Sequence, residues 1–148
     1  MLKTYSNHLL RLIVATLFLL VLPALATQST FGEVSIKVAD KTLQVEYADR
    51  FELRQQGLMF RESMCEDCGM LFKFDVNRYA SMWMKNTLIP LDVAFITETG
   101  EITDIKPMQP HDLTSVGSSQ KIRYALEMNQ GWFAQHDVKV GDKIKQLP

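Results

Sequence analysis

The sequence predicts a mostly β domain, a small antiparallel β-sandwich or barrel with one short helix near residues 49–57. Three observations carry this. Apolar and polar residues alternate over short runs, the period-2 mark of strands with one buried face. These runs follow one another closely, punctuated by Gly, Asp, Asn and Pro, as in all-β sandwiches. Only one segment changes to a helical spacing.

The elements follow in order. Val34, Ile36 and Val38 alternate with polar neighbours, and the pattern resumes at Leu43, Val45 and Tyr47 beyond Asp40-Lys41, predicting a hairpin. In ADRFELRQQGLMFR the period changes. Asp49 is placed to cap, Phe51, Leu53 and Leu58 offer an apolar side, and Gly57 supplies a left-handed stop. The runs MLFKF (70–74), YASMWM (79–84), VAFI (93–96), ITDIKPM (102–108), IRYALEM (122–128) and the terminal VKVGDKIKQL read as short strands. Turns are expected at Thr99-Gly100-Glu101 and Val140-Gly141-Asp142, and one long polar loop at 109–121.

The first 26 residues stand apart. Lys3 and Arg11 precede the apolar run LIVATLFLLVL (12–22), then come Pro23 and the small-residue triplet Ala24-Leu25-Ala26. This predicts a secretory signal cleaved after Ala26, so the protein is expected to be exported, periplasmic or secreted, touching the membrane only during export. Retention of the segment as an anchor is the alternative; the run is short for a bilayer span, which needs about 20 residues. Cleavage removes two of the 16 Lys and Arg and none of the 17 Asp and Glu, leaving residues 27–148 mildly acidic. With no basic cluster to attract phosphate backbones, nucleic acid is not an expected partner. A chain of this length fits one domain with a sizeable core.

The blocks GLMFR (57–61), GMLFKF (69–74), MWMKNTLIPLDVAFI (82–96), the Gly100 turn with EITDI, MQP (108–110), and ALEM followed by Gly131 and Gly141-Asp142 come in an order and spacing that resembles one family, domain of unknown function 192. The resemblance spans about residues 34–147. It implies a jelly-roll-like β domain, often exported, and no particular activity.

Cys65 and Cys68 depart from the family's usual residues before GMLF. In an oxidising compartment two thiols three positions apart in a turn are expected to close a small disulfide. A redox catalyst would place the first Cys at a helix N-terminus; this pair precedes a strand, beside Glu62, Glu66 and Asp67, which raise thiol pKa values. Structural zinc needs four ligands, and His111 and His136 are 25 residues apart, so no metal site is expected. Met59, Met64, Met70, Met82, Met84, Met108 and Met128 offer soft thioethers that suit Cu(I), or adaptable core filling.

The segment MWMKNTLIPLDVAFI carries Lys85, Asn86, Thr87 and Asp92 inside an apolar run. A buried polar group without a partner costs about 1–3 kcal/mol, so these four either satisfy one another and the backbone or face a guest. Lys85, Asn86 and Thr87, with Arg61 and with Trp83 as a wall, form a candidate surface for a small polar, anionic or carbohydrate ligand. Asp92 joins it as a carboxylate beneath the turn. Glu127, alone in YALEM, is a candidate partner for Arg61 or a member of the site; an exposed position opposite a cation is the plainer alternative.

No G-x-S-x-G, H-E-x-x-H, P-loop or dinucleotide-binding turn is present. The sequence therefore predicts a binding or interaction module with no cofactor, for an unknown small-molecule or envelope partner. Two alternatives are an envelope carbohydrate-active enzyme using Asp92 and Glu127 as acid and base, and a Met-based Cu(I) carrier.

Overall fold

A computed structural model describes residues 30–148. The expected secretory segment, 1–26, lies outside the described residues. The chain forms strands β1 (Gly32–Val38) and β2 (Lys41–Ala48), helix α1 (Phe51–Gln56), strands β3 (Gly69–Arg78), β4 (Ser81–Met82), β5 (Leu91–Ile96), β6 (Ile102–Met108), β7 (Val116–Gly117) and β8 (Ile122–Asn129), and helix α2 (Trp132–Gln135). The fold is mostly β and sandwich-like, without a closed barrel.

Its frame is a six-stranded sheet in the order β1-β2-β3-β8-β5-β6, accompanied by a two-stranded ribbon of β4 and β7. Neighbours in the large sheet are antiparallel except β2 and β3, which run parallel with Tyr47 opposite Leu71. Helix α1 lies in the β2–β3 connection, which a parallel pair needs in order to return the chain to the same end.

Both faces of the sheet are covered, so the central strands are buried on both sides and every position of β5 is buried. On one face, Ile36, Val45, Leu71, Ala94, Leu126 and Met128 are capped by Trp132 and Phe133 of α2 and by Val138 and Ile144. On the other, Met70, Phe72, Val93, Phe95 and Ala125 are covered by Leu53 and Leu58 from the α1 region and by Ala80, Met84 and Ile89.

Several local expectations are revised. Arg50, not Asp49, is the residue before α1, and no side chain caps it; Asp49 instead accepts a hydrogen bond at its carbonyl from Arg54. Gly57 ends the helix with φ +48°, in the region that favours glycine. The expected strand 79–84 contracts to Ser81–Met82, and the expected loop 109–121 contains β7, its partner. Four-residue α2 had no counterpart in the sequence reading.

The terminal VKVGDKIKQL is not a strand. It makes isolated bridges at Glu101–Lys143 and Lys37–Lys145 and lays Val138 and Ile144 into the core. Ile144 donates its N–H to the Gly100 carbonyl at 2.9 Å. A side chain at Gly100 would collide with the Ile144 carbonyl, and its φ of +87° also calls for glycine.

Candidate functional site

The segment from Met82 to Asp92 divides its polar residues between the scaffold and a cavity. After β4 the chain turns sharply: Thr87 donates its N–H to the Met84 carbonyl at 3.1 Å, and its hydroxyl bonds the Lys85 carbonyl at 3.3 Å. Asn86 has φ +55°, a left-handed conformation that Asn tolerates better than most residues. Its carbonyl accepts the N–H of Phe60, itself at φ +64°, at 2.8 Å. His111 N–H reaches the Thr87 carbonyl and Met84 N–H the Asp112 carbonyl, fastening the turn to the loop after β6. Asn86 and Thr87 are therefore engaged mainly in holding the bend.

Lys85 is not consumed this way. It is exposed, with its ammonium 5.2 Å from the centre of the Trp83 ring, a cation–π contact on the wall of a cavity of about 520 Å³. Volumes of this size are typical of small-molecule sites. Helix α1, β3 and the β4 segment enclose it. Leu58, Phe72 and Met82 are among its apolar lining, Arg54, Asp75, Arg78 and Lys85 its charged lining, and Glu127 of β8 also lines it.

Glu127 is the exceptional group. It is only 4 % exposed, and its register partners on either side are Met70 and Val93, so carbon surrounds it in the plane of the sheet. Among the described residues its carboxyl has no hydrogen-bond or ionic partner. Burial pushes its pKa up from 4.5 to about 8, leaving it protonated at neutral pH. Arg54 does not answer it: that guanidinium bonds the Asp49 and Lys73 carbonyls at 2.8 Å and the Asp75 carboxylate at 2.9 Å.

The other expected site residues lie elsewhere. Arg61 pairs with Glu46 at 2.6 Å, which corrects the expectation of an Arg61–Glu127 pair. Neither Arg61, Asn86 nor Asp92 lines the cavity. Asp92 points to the opposite face and accepts the Gly131 N–H at 2.8 Å. Because Met128 stands opposite Asp92 and Val93 opposite Glu127, the two carboxylates are one register step apart and project to opposite sides. They cannot act as an acid–base pair on one sugar, so the carbohydrate-active alternative built on them falls away.

Of the methionines, Met59 and Met82 line the cavity, Met70, Met84 and Met108 are buried in the core beside it, and Met128 lies in the other core. The pair Met82 and Met84 does not jointly face the opening. Among the described residues no three His, Cys, Asp or Glu side chains gather as a metal site.

Cys65 and Cys68 are joined in a disulfide with Cα atoms 5.0 Å apart. The turn is anchored by Asn129, whose amide donates to the Cys65 carbonyl at 2.8 Å. Between the cysteines, Asp67 accepts from the Trp132 indole at 2.9 Å and from Lys41 at 3.0 Å, with His136 at 3.6 Å. The Trp132 bond is the chief cause that holds the Asp67 carboxyl below the usual range. On β6, burial raises the Asp104 pKa, but bonds from Ser119, Thr103 and Lys106 outweigh it, and the two Ser119 bonds at 2.9 Å close the end of the 109–121 loop.

Sequence reasoning missed Arg54, Asp75, Arg78 and Phe72, because the cavity arises where α1 fails to cover the end of β3. A signal for the burial of Glu127 does lie in the sequence: YALEM, 124–128, sets it in an apolar run without alternation, the mark of a strand covered on both faces, and all five positions are buried.

Residues 34–146 match the family model DUF192, described as an uncharacterised ACR. A crystal structure described as a candidate transcription regulator from Sinorhizobium meliloti 1021 is 36 % identical, with a TM-score of 0.74, covering 80 % of this chain and 96 % of that one. A protein of unknown function from Novosphingobium aromaticivorans DSM 12444 is 28 % identical, with a TM-score of 0.72, covering 81 % and 88 %. No curated protein matches.

Proposed function

The chain belongs to the DUF192 family, and we propose that it is an exported binding module whose cavity beside Trp83 and Lys85 receives a small polar, anionic or carbohydrate ligand. One observation carries the reading: Glu127 is a buried carboxyl, without a partner among the described residues, that lines an open cavity. A carboxyl that the protein itself does not pair, reached only through the cavity, is answered by water or by a guest that enters there. The Trp83 plane suits a sugar ring and the Lys85 ammonium an anion. Export rests on the amino-terminal sequence pattern.

The Sinorhizobium description raises transcription as a second role. A formal net charge of −1 and the absence of a basic cluster in the sequence speak against a nucleic-acid surface.

The test is a thermal-shift screen of sugars, sugar acids and small carboxylates. Compounds that raise the melting temperature are expected to lose that effect in Lys85→Ala and Glu127→Gln, while unliganded Lys85→Ala melts near the wild type. Stabilisation that survives both substitutions would place the ligand elsewhere.

A further inference from the structure

The two ends of the cavity differ in chemistry. Its buried end holds Glu127, between Met70 and Val93, with Leu58 and Phe72 buried nearby. Its exposed rim holds Lys85 and Arg78. The remaining charged lining, Arg54 from α1 and Asp75 from β3, is an ion pair that answers itself at 2.9 Å. An acid inside and two cations outside complement a ligand of the reverse polarity.

We propose that the cavity takes a dipolar ligand: a primary ammonium seated against Glu127, a carboxylate or phosphate at Lys85 and Arg78, and a short apolar body between them. The inference rests on the cavity being the binding site. An ammonium has three donors and can serve both Glu127 oxygens; a bound anion would accept one proton-mediated bond, and the half-sheltered cation of the lining, Arg54, is already bonded to Asp75 and to the Asp49 and Lys73 carbonyls. Apolar walls strengthen the ion pair once water is expelled.

The charge balance is explicit. The neutral Glu127 acid and the ammonium become a carboxylate–ammonium pair, and the acid's proton leaves to solvent. Since Glu127 titrates near pH 8, affinity rises with pH below that point, approaching about tenfold per unit, and levels off above it. The titratable or charged groups facing Glu127 across the cavity are Arg54, Asp75, Arg78 and Lys85.

Three probes of equal chain length test this by isothermal titration calorimetry: ε-aminocaproate, caproate and hexylamine, carrying both charges, the anion alone and the cation alone. The doubly charged probe is expected to bind at least about tenfold tighter than either other, releasing about one proton at neutral pH, read as a difference between buffers of unlike ionisation enthalpy. Glu127→Gln, checked for native fold by circular dichroism, should abolish the proton release; Lys85→Ala should weaken ε-aminocaproate, and Lys85→Ala with Arg78→Ala should reduce its affinity to that of hexylamine. Caproate binding as tightly as ε-aminocaproate, with no proton released, would overturn the dipolar ligand and leave the cavity a binding site. No binding of any probe at millimolar concentration would overturn it as well; Lys85-dependent hits in the thermal-shift screen would then keep the broader reading alive.

Discussion

Asp92 and Glu127 sit on adjacent strands one register step apart, both nearly buried, yet they have opposite fates. Asp92 faces the side closed by α2 and the terminal segment, where the Gly131 N–H meets it at 2.8 Å. Glu127 faces the side closed by α1 and the β4 segment, where no side chain or backbone group among the described residues meets it. One acid is structural glue and the other an unanswered group in a cavity. The difference lies in the covers: a compact cap of Trp132 and Phe133 fills one face, whereas six-residue α1 leaves a gap over the other.

The largest expected effect tests Glu127. Above pH 4.5 the unfolded chain gives up this proton, whereas the folded chain keeps it until about pH 8. Each pH unit between them therefore favours unfolding by up to about 1.4 kcal/mol. Urea unfolding of the wild type should show that decline, and Glu127→Leu should flatten it by several kcal/mol near pH 8. Parallel curves for the two proteins would show that Glu127 is solvated after all.

Asp92→Ala comes next, at about 1–3 kcal/mol, because it leaves the half-buried Gly131 donor without its partner. Equal stability of mutant and wild type would remove the contrast between the two acids. Asn86→Val then tests the cover on the cavity side. A β-branched residue at φ +55° is strained by about 1–2 kcal/mol, and a smaller loss in chemical denaturation would mean the turn relaxes freely. Smallest of all is Lys85→Ala, expected within about 0.5 kcal/mol of the wild type because the side chain is exposed. A larger loss would reassign Lys85 to the scaffold.

What the sequence disclosed follows the same division. β1 and β2 were legible because one face of each is buried and the other wet, which writes alternation into Val34 to Tyr47. The Ile102–Met108 strand was read at its observed bounds. The parallel β2–β3 pairing was not legible, since strand direction depends on how α1 returns the chain. The terminal segment was misread because Val138 and Ile144 alternate with charges while packing as an irregular strap, with only isolated bridges. At the site, the polar residues set in apolar runs, Lys85, Thr87 and Glu127, and the adjoining Trp83 are legible in the sequence. Arg54 and Asp75 are not, because α1's approach to β3 is a tertiary fact.

The strand order carries a consequence for how the protein comes into being. β8 lies between β3 and β5, yet it is the last strand of the sheet to be synthesised. A nascent chain ending before Ile122 holds β1-β2-β3 as one piece and β5-β6 as another, each with an unpaired edge. Such edges invite pairing with other chains. Completion of the sheet must wait until β8 itself has been translated, so any factor that attends this chain has to shield the two halves until their shared middle strand arrives.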